Sequence, residues 1–479
     1  MGSLCVSFDF VTGIAMNRLI LIVCLFTTLS AHAADARFDA VDASVEALRI
    51  EHDLGGAVLV LAQNGVVVHQ RAYGGYALDT RVPIASASKW LSATLVARLV
   101  DQGRMRWDDP ISNYLPDAPV DKRAITLRQL FSLTSGIPGG DLVGGAGCLS
   151  DRDIAFEACA RQILDLPLTA TPGTVFDYGG NSMQVAGYLA ERATGQRWAD
   201  LFRRELAAPL GLTDTAYSYF PTIDAANPRI AGGVFSTAGD YMKLLLMWRA
   251  HGKVGTQRLL NSATITDMDR DHTVGARVVS TPLPGGGYGL GHWIERKDAN
   301  GHATLVASRG AFGFTPWIDL RRDIAGVLLI FGDNSAVGDD VTALIDQIAS
   351  VLDKDTHHVP FADFGGIWWR PQESGSGFTL VQRSDHQLTG SFYTFDDSGQ
   401  PLWLVFSGGQ WQSSTRWRGG LYRSRYSGSG ALTHGVERTL VRTESFGEIQ
   451  FDFADADHGQ LTLAFPHATR TLPIQRFPF

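Results

Sequence analysis

The hydrophobic period of this chain changes once, and that change divides what it can fold into. Up to about Asp353 the apolar residues recur largely at helical spacing, with strand-like runs at either end. From Phe361 onward they fall into short alternating runs set off by Gly, Ser and Asp, as in "GFTLVQ", "LTGSFYTF", "PLWLVFSG", "EIQFDF" and "QLTLAF". Period-two alternation between frequent turn residues predicts an all-β barrel or sandwich over 361–479. Trp368, Trp369, Trp403, Trp411 and Trp417 lie in this tail. They are expected chiefly to pack the β core, the alternative being that some form a face on which cell-wall glycan stacks.

Before that boundary the order is strands, then helices, then strands again. A helix is expected from Asp39 to Leu54, and "GAVLVLAQNGVVVHQRAYG" reads as two strands joined at Asn64-Gly65. Ser86 to Gln102 reads as a helix closed by Gly103. Asp108 to about Leu260 is largely helical, broken by loops such as Ser135 to Gly140. Strands return in "GYGLGHWIE", "ATLVASRG", "GFTPWIDL" and "IAGVLLIFG", followed by a helix from Val341 to Asp353. This order predicts an α/β (α+β) domain with a helical insertion over 34–355.

The first 33 residues read as an export signal. Met16-Asn17-Arg18 is a short positive start, Leu19 to Leu29 an apolar run too short to span a bilayer, and Ala31-His32-Ala33 a cleavage site. Met16 serves this pattern as a start better than Met1. The mature chain is expected in the periplasm or outside the cell. Its two remaining cysteines, Cys148 and Cys159, then read as a disulfide closing a short loop.

With a net charge of −8 and no run of Lys or Arg, nucleic acid and acidic membranes are not expected partners. Cys-x-x-Cys and zinc-spaced histidine pairs do not occur in the sequence, so a metal is not expected.

The candidate chemistry is at "IASASKW", where Ser86 precedes Lys89 by three residues. On a helix these positions share a face, so a hydroxyl and an amine can meet. A serine hydroxyl needs a base, and lysine serves as one only if burial keeps it neutral. In isolation the pair reads more simply as a capping serine and a surface lysine. Lysine is scarce against arginine here, however, and this is the chain's one Ser-x-x-Lys. A Gly-x-Ser-x-Gly elbow does not occur in the sequence.

The surrounding segments, in order, resemble the serine β-lactamase and penicillin-binding-protein superfamily. The similarity is to its class C-like branch, with the related family VIII carboxylesterases and D-peptidases. It runs from Asp39 to Leu352 through "ITLRQLFSLTSGIPG", "PGTVFDYGGNSMQVAGYLAERATG", "AGGVFSTAGDYMKLLLM", "YGLGHWIE" and "SRGAFGFTPWID". The fold this implies is an antiparallel sheet flanked by helices, with a helical subdomain. The resemblance makes Ser86 the acylated nucleophile, Lys89 its base and Tyr178 a proton carrier. The backbone N–H groups of Ser86 and Ala311 would form the oxyanion hole, and this acyl-transfer chemistry requires no cofactor.

Two departures bear on substrate. Tyr178-Gly179-Gly180 has Gly180 where the family usually has asparagine, and Asn181 reads instead as the cap of the following helix. Ser308-Arg309-Gly310 has Ser308 where a Lys or His is usual, while Arg309 on a strand should face the other way. Gly180, Asn181, Ser308, Arg309 and Gly310 would thus line the substrate site, with weakened recognition of a substrate carboxylate.

The expected activity is hydrolysis of small-molecule or peptide acyl substrates, esterase-like first and D-peptidase or weak β-lactamase second. A catalytically vestigial wall-binding protein is the reading from another class. The tail resembles a β-module of exported bacterial proteins with a Trp-Trp-x-Pro-x-Glu-Ser-Gly-x-Gly signature, a resemblance that implies no activity.

Overall fold

Asn64 and Gly65 both take positive φ, 52° and 76°, and turn strand β1 (Gly56–Gln63) into β2 (Val66–Gly74) as the Asn-Gly pair predicts. The structure is a computed structural model. It describes residues 35–478 apart from 141–146, 220–222, 225, 353–359, 361, 384–385, 397, 414, 429–437 and 466–467. The export signal expected over 1–33 lies outside the described residues.

Every residue of β1 is buried, because the strand is covered on both faces. Ala57, Leu59 and Leu61 pack under helices α1 (Asp39–Glu51) and α5 (Asn334–Leu352). Val58, Val60 and Ala62 pack on the other side, in the core shared with α2 (Ser88–Asp101) and α4 (Ala238–Arg249). A strand buried on both faces reads as a continuous apolar run, which is why "GAVLVLA" shows no alternation.

The remaining strands of this sheet are β3 (Gly287–Tyr288), β4 (Trp293–Lys297), β5 (Ala303–Ala307), β6 (Thr315–Asp319) and β7 (Ile324–Leu329). The seven are ordered β3-β4-β5-β6-β7-β1-β2, and every pairing is antiparallel. Helix α3 (Asn181–Thr194) belongs to the helical layer beside α2. Within that layer Cys148 and Cys159 form a disulfide, with Cα atoms 5.1 Å apart.

The tail is a closed barrel, not a sandwich. Its eight strands are β8 (Gly366–Trp369), β9 (Gly377–Gln382), β10 (Leu388–Phe395), β11 (Pro401–Trp411), β12 (Arg416–Tyr426), β13 (Val441–Phe453), β14 (His458–Phe465) and β15 (Ala468–Arg476). Closure comes from β8 pairing with β15, Trp368 opposite Arg476. Inward residues alternate with outward ones, and Trp368, Trp411 and Trp417 pack the interior with Phe378, Phe406 and Phe451. The barrel meets the rest of the chain through a buried charge cluster. Asp323 accepts from Arg249 Nε at 2.6 Å and lies 2.7 Å from His386 Nε2, with His251 ring-to-edge against His386. Asp323, His386 and His251 all take positive φ, 50°, 61° and 49°. Among the described residues, no helix is long and apolar enough to cross a membrane.

Candidate active site

Ile84 donates its N–H to Val234 at 3.0 Å and Ser88 Oγ accepts the Val234 N–H at 3.1 Å, so the approach to α2 is held on both sides of Ser86. Between these anchors Ala85 takes φ 45°, a left-handed conformation that costs a residue with a Cβ about 1–3 kcal/mol. A short 3-10 turn over Ala85–Ala87 follows and runs into α2, in which every residue from Ser88 to Ala97 is buried. Tyr241 on α4 donates its hydroxyl to the Ala87 carbonyl at 2.7 Å. Ser86 thus opens a helix driven through the core, its hydroxyl fixed by a strained backbone.

Lys89 is completely buried, its Nζ 3.0 Å from Ser86 Oγ and 3.2 Å from the Ala231 carbonyl. Burial alone lowers its pKa to about 7, since the charged form has lost its water and gained no carboxylate in return. The Ser-x-x-Lys pair is therefore a buried hydroxyl–amine contact and not a cap with a surface lysine. Near neutral pH the amine can accept a proton.

Tyr178 completes the cluster. Its ring centroid is 4.6 Å from Lys89 Nζ, and the Ser86 side chain is a hydrogen-bond partner of its phenol. The residue keeps some open surface, but its surroundings are dense enough that desolvation pushes the phenol up to about 12, against smaller lowering effects from Ser86 and Trp293. It is a protonated donor at neutral pH. Trp293 stacks on it at 4.9 Å between centroids, and Tyr288 meets its edge at 6.0 Å. Neither aromatic is singled out by spacing, since their partner Tyr178 lies more than a hundred positions away in the chain.

The loop carrying Tyr178 is clamped by backbone contact. A Cβ at Gly179 would lie 2.0 Å from the Gly139 carbonyl oxygen, so only glycine fits. The Gly139 N–H donates to Asp177 at 2.9 Å and its carbonyl accepts from the Asn181 N–H at 3.0 Å. Here the expected cap is corrected. Gly180 is the N-cap of α3 with no side-chain bond, and Asn181 is the first helical residue. The Asn181 amide donates instead to the Pro138 carbonyl at 2.9 Å, tying the Ser135–Gly140 loop to the helix. The backbone flexibility of two successive glycines lets the helix begin one residue earlier than a capping asparagine would dictate.

At the strand edge, Ser308 is buried and its hydroxyl donates to the Ser86 carbonyl at 3.2 Å. Arg309 faces away, forked onto Glu295 at 2.8 Å through both Nε and Nη2, with further bonds to Gly338 and Thr342 of α5. The expected strand ends at Ala307, just before these residues, so the opposite directions of Ser308 and Arg309 come from their separate partners and not from strand alternation. A Cβ at Gly310 would come within 2.3 Å of the Ile84 carbonyl oxygen. That close approach brings the tight turn closed by Gly310 and Phe314 (2.8 Å), which contains Ala311, against the segment leading to Ser86. Ser86, Lys89, Tyr178, Ser308 and Gly310 are thus brought together, while Arg309 and the Asn181 amide are directed elsewhere.

Comparison with known proteins bears on the family and the fold. The family described as Beta-lactamase matches residues 41–350. Esterase EstB of Burkholderia gladioli is 33% identical over 213 residues, covering 40% of this chain and 53% of EstB. Penicillin-binding protein 4 of Amycolatopsis lactamdurans is 37% identical over 183 residues, 35% of this chain and 46% of that protein. The chain thus spans about half the length of these two relatives. The crystal structure of a Bacteroides dorei DSM 17855 protein, assigned as a beta-lactamase, superimposes with a TM-score of 0.58. It is 30% identical and covers 64% of this chain and 99% of that one. The barrel lies beyond residue 350, outside the family match.

Proposed function

The chain belongs to the Beta-lactamase family, and from that premise we propose that it is an exported serine hydrolase, of the class C-like kind, cleaving esters through an acyl-enzyme on Ser86. The observation that carries this reading is the fully buried Lys89 amine 3.0 Å from Ser86 Oγ. A lysine lowered to about 7 by burial is a base at working pH, and it touches the one hydroxyl that needs one.

In the proposed reaction Ser86 Oγ attacks the ester carbonyl while its proton passes to Lys89. The tetrahedral oxyanion is held by the N–H groups of Ser86 and Ala311. Tyr178, protonated because burial holds it at about 12, delivers a proton to the departing alkoxide as the C–O bond breaks, and is reprotonated from Lys89. Water then attacks the acyl-serine by the reverse relay, releasing the carboxylic acid and restoring the hydroxyl. No cofactor enters these steps.

The preference for esters rests on Ser308 and Gly180. Ser308 is uncharged and spends its hydroxyl on the Ser86 carbonyl, and Arg309 is committed to Glu295, so neither residue offers a cation to a substrate carboxylate. Gly180 supplies no amide to an acylamino group. Export is supported by the Cys148–Cys159 disulfide, which suits an oxidising compartment. Intact-mass measurement after acid quench, with nitrophenyl esters, a penicillin and a D-Ala-D-Ala peptide in separate reactions, tests the reading. An acyl adduct mapped to Ser86, with esters turned over fastest, is expected. Faster turnover of the β-lactam or the peptide would overturn the ester preference, and loss of no activity in Ser86→Ala would overturn the mechanism.

A further inference from the structure

The signature "WWRPQESGSG" plays no part in the proposed chemistry; Trp368 points into the barrel core, but Trp369, Gly375 and Gly377 belong to its outer face. Trp369 on β8 stands opposite Gly377 on β9, Gly377 opposite Tyr393 on β10, and Tyr393 opposite Trp403 on β11. These four positions form one row across four neighbouring strands, spanning about 14 Å at ordinary strand spacing. Trp403 is 62% exposed and Tyr393 42%, their centroids 5.5 Å apart. Phe395, 53% exposed, follows Tyr393 on the same face.

Both glycines of the signature shape this face. Gly377 has no side chain, so a gap lies between Trp369 and Tyr393 instead of a filled strand surface. Gly375 takes φ 92°, and a Cβ there would lie 3.4 Å from the edge of the Phe395 ring. The hydroxyl residues Ser391 and Thr379 stand opposite one another and share the outer face, each two positions along its strand from the row. The result is a narrow trough with aromatic walls and hydroxyls alongside.

We propose that this trough is a carbohydrate-binding site, taking an extended polysaccharide whose sugar rings lie flat on Tyr393 and Trp403. Pyranose rings present a face of C–H groups and an equator of hydroxyls. The C–H face suits exposed aromatic surface, and the equator suits Ser391 and Thr379. Area argues against a second copy of this chain as the occupant. The exposed rings offer roughly 400 Å² together, and Ile367, Val381 and Val405 on the same face add roughly 200 Å², still short of the about 800 Å² per partner in a stable protein interface. The inference is independent of whether Ser86 is acylated, since it uses residues of the barrel alone.

The full chain would be mixed with insoluble cellulose, chitin and purified bacterial peptidoglycan, and the unbound fraction measured over a range of polysaccharide loadings. At least one polysaccharide is expected to deplete the wild type, with Trp403→Ala and Tyr393→Ala each weakening retention about tenfold at unchanged thermal midpoint. Both rings are exposed, so neither change should disturb the core. Failure of all three polysaccharides to retain the folded wild type overturns the proposal. So does retention that both variants leave intact. Two further arms examine other occupants. Concentration-dependent dimers in sedimentation equilibrium that Trp403→Ala abolishes, or Trp403-dependent binding to phosphatidylglycerol vesicles, would each overturn the carbohydrate assignment.

Discussion

The Ser308 hydroxyl donates to the backbone carbonyl of Ser86 at 3.2 Å, so it supports the peptide of the proposed nucleophile. Replacing it tests the ester preference directly. Ser308→Lys should lower KM for a carboxylate-bearing β-lactam such as nitrocefin about tenfold, through a charge-assisted hydrogen bond to the carboxylate. Turnover of uncharged nitrophenyl esters should fall at the same time, because the support to Ser86 is lost. Steady-state kinetics on both substrates checks the split. Equal changes on the two would show that the site does not read the carboxylate.

The pH dependence follows from Lys89. Its buried amine must be neutral to accept the Ser86 proton, so kcat should rise with pH through an inflection near 7. Tyr178, held up to about 12, stays protonated across the neutral range and imposes no fall below pH 9. A pH–rate profile on a nitrophenyl ester from pH 5.5 to 9 decides the point, and a flat profile would remove Lys89 as the base.

The same lysine should burden the fold. Its folded pKa is lowered to about 7 from an unfolded value near 10.4, so the unfolded state binds more protons between these values. Stability therefore rises with pH across that window, and is lowest below it. Lys89→Met, which removes the buried amine, should abolish ester hydrolysis and raise the thermal midpoint at pH 6, by about 2–4 °C per kcal/mol recovered. Calorimetry of the two proteins at pH 6 is the check. A lowered midpoint would mean that the bonds to Ser86 and Ala231 outweigh the desolvation of the amine.

The junction cluster should hold the barrel against the sheet. Asp323→Asn keeps the shape and tolerates φ 50°, but leaves Arg249 buried without its counter-ion. Removing one partner of such a pair costs about 3–5 kcal/mol. Asp323 is held below its usual range chiefly against desolvation by Arg249 and His386, so its contribution is present above about pH 4 and lost beneath it. At pH 7 the variant should unfold in two thermal transitions, the barrel separating from the hydrolase part. A single transition at the wild-type midpoint would rule out the latch.

The disulfide joins Cys148 and Cys159, a sequence separation of 11, which corresponds to about 2.5–3 kcal/mol in the chain-entropy account. Replacing both cysteines by alanine should lower the thermal midpoint by several degrees, and reductant should have no further effect on that variant. An unchanged midpoint would mean that the loop is held without the bond, through Asn227 and its contact to the Cys148 carbonyl.

Much of this was legible in local spacing. Asn64-Gly65 announced the hairpin, and the i,i+3 relation announced the contact of Ser86 with Lys89, since both depend on neighbours in the chain. What escaped depends on distant partners. The Lys89 amine also bonds a carbonyl 142 positions away, and Asp323 meets His386 across 63 positions. Neither has a spacing signal. Asn181 departs from the capping role for a related reason: its amide has a partner at Pro138, on another loop, that competes with the capping bond. The left-handed turn at Ala85 carries no glycine to mark it, because the strain is imposed by the anchors on either side.

Trp368 on the first barrel strand lies opposite Arg476 on the last, and Arg476 also bonds the Asp363 and Gly365 carbonyls. The two ends of the barrel segment are therefore neighbours. A unit stitched shut beside its own ends exposes no edge strand to capture another chain, and can hang from a host by a single seam. It is a cassette in the engineering sense, one that should tolerate transplantation to other host proteins or relocation of its break point to a distant hairpin.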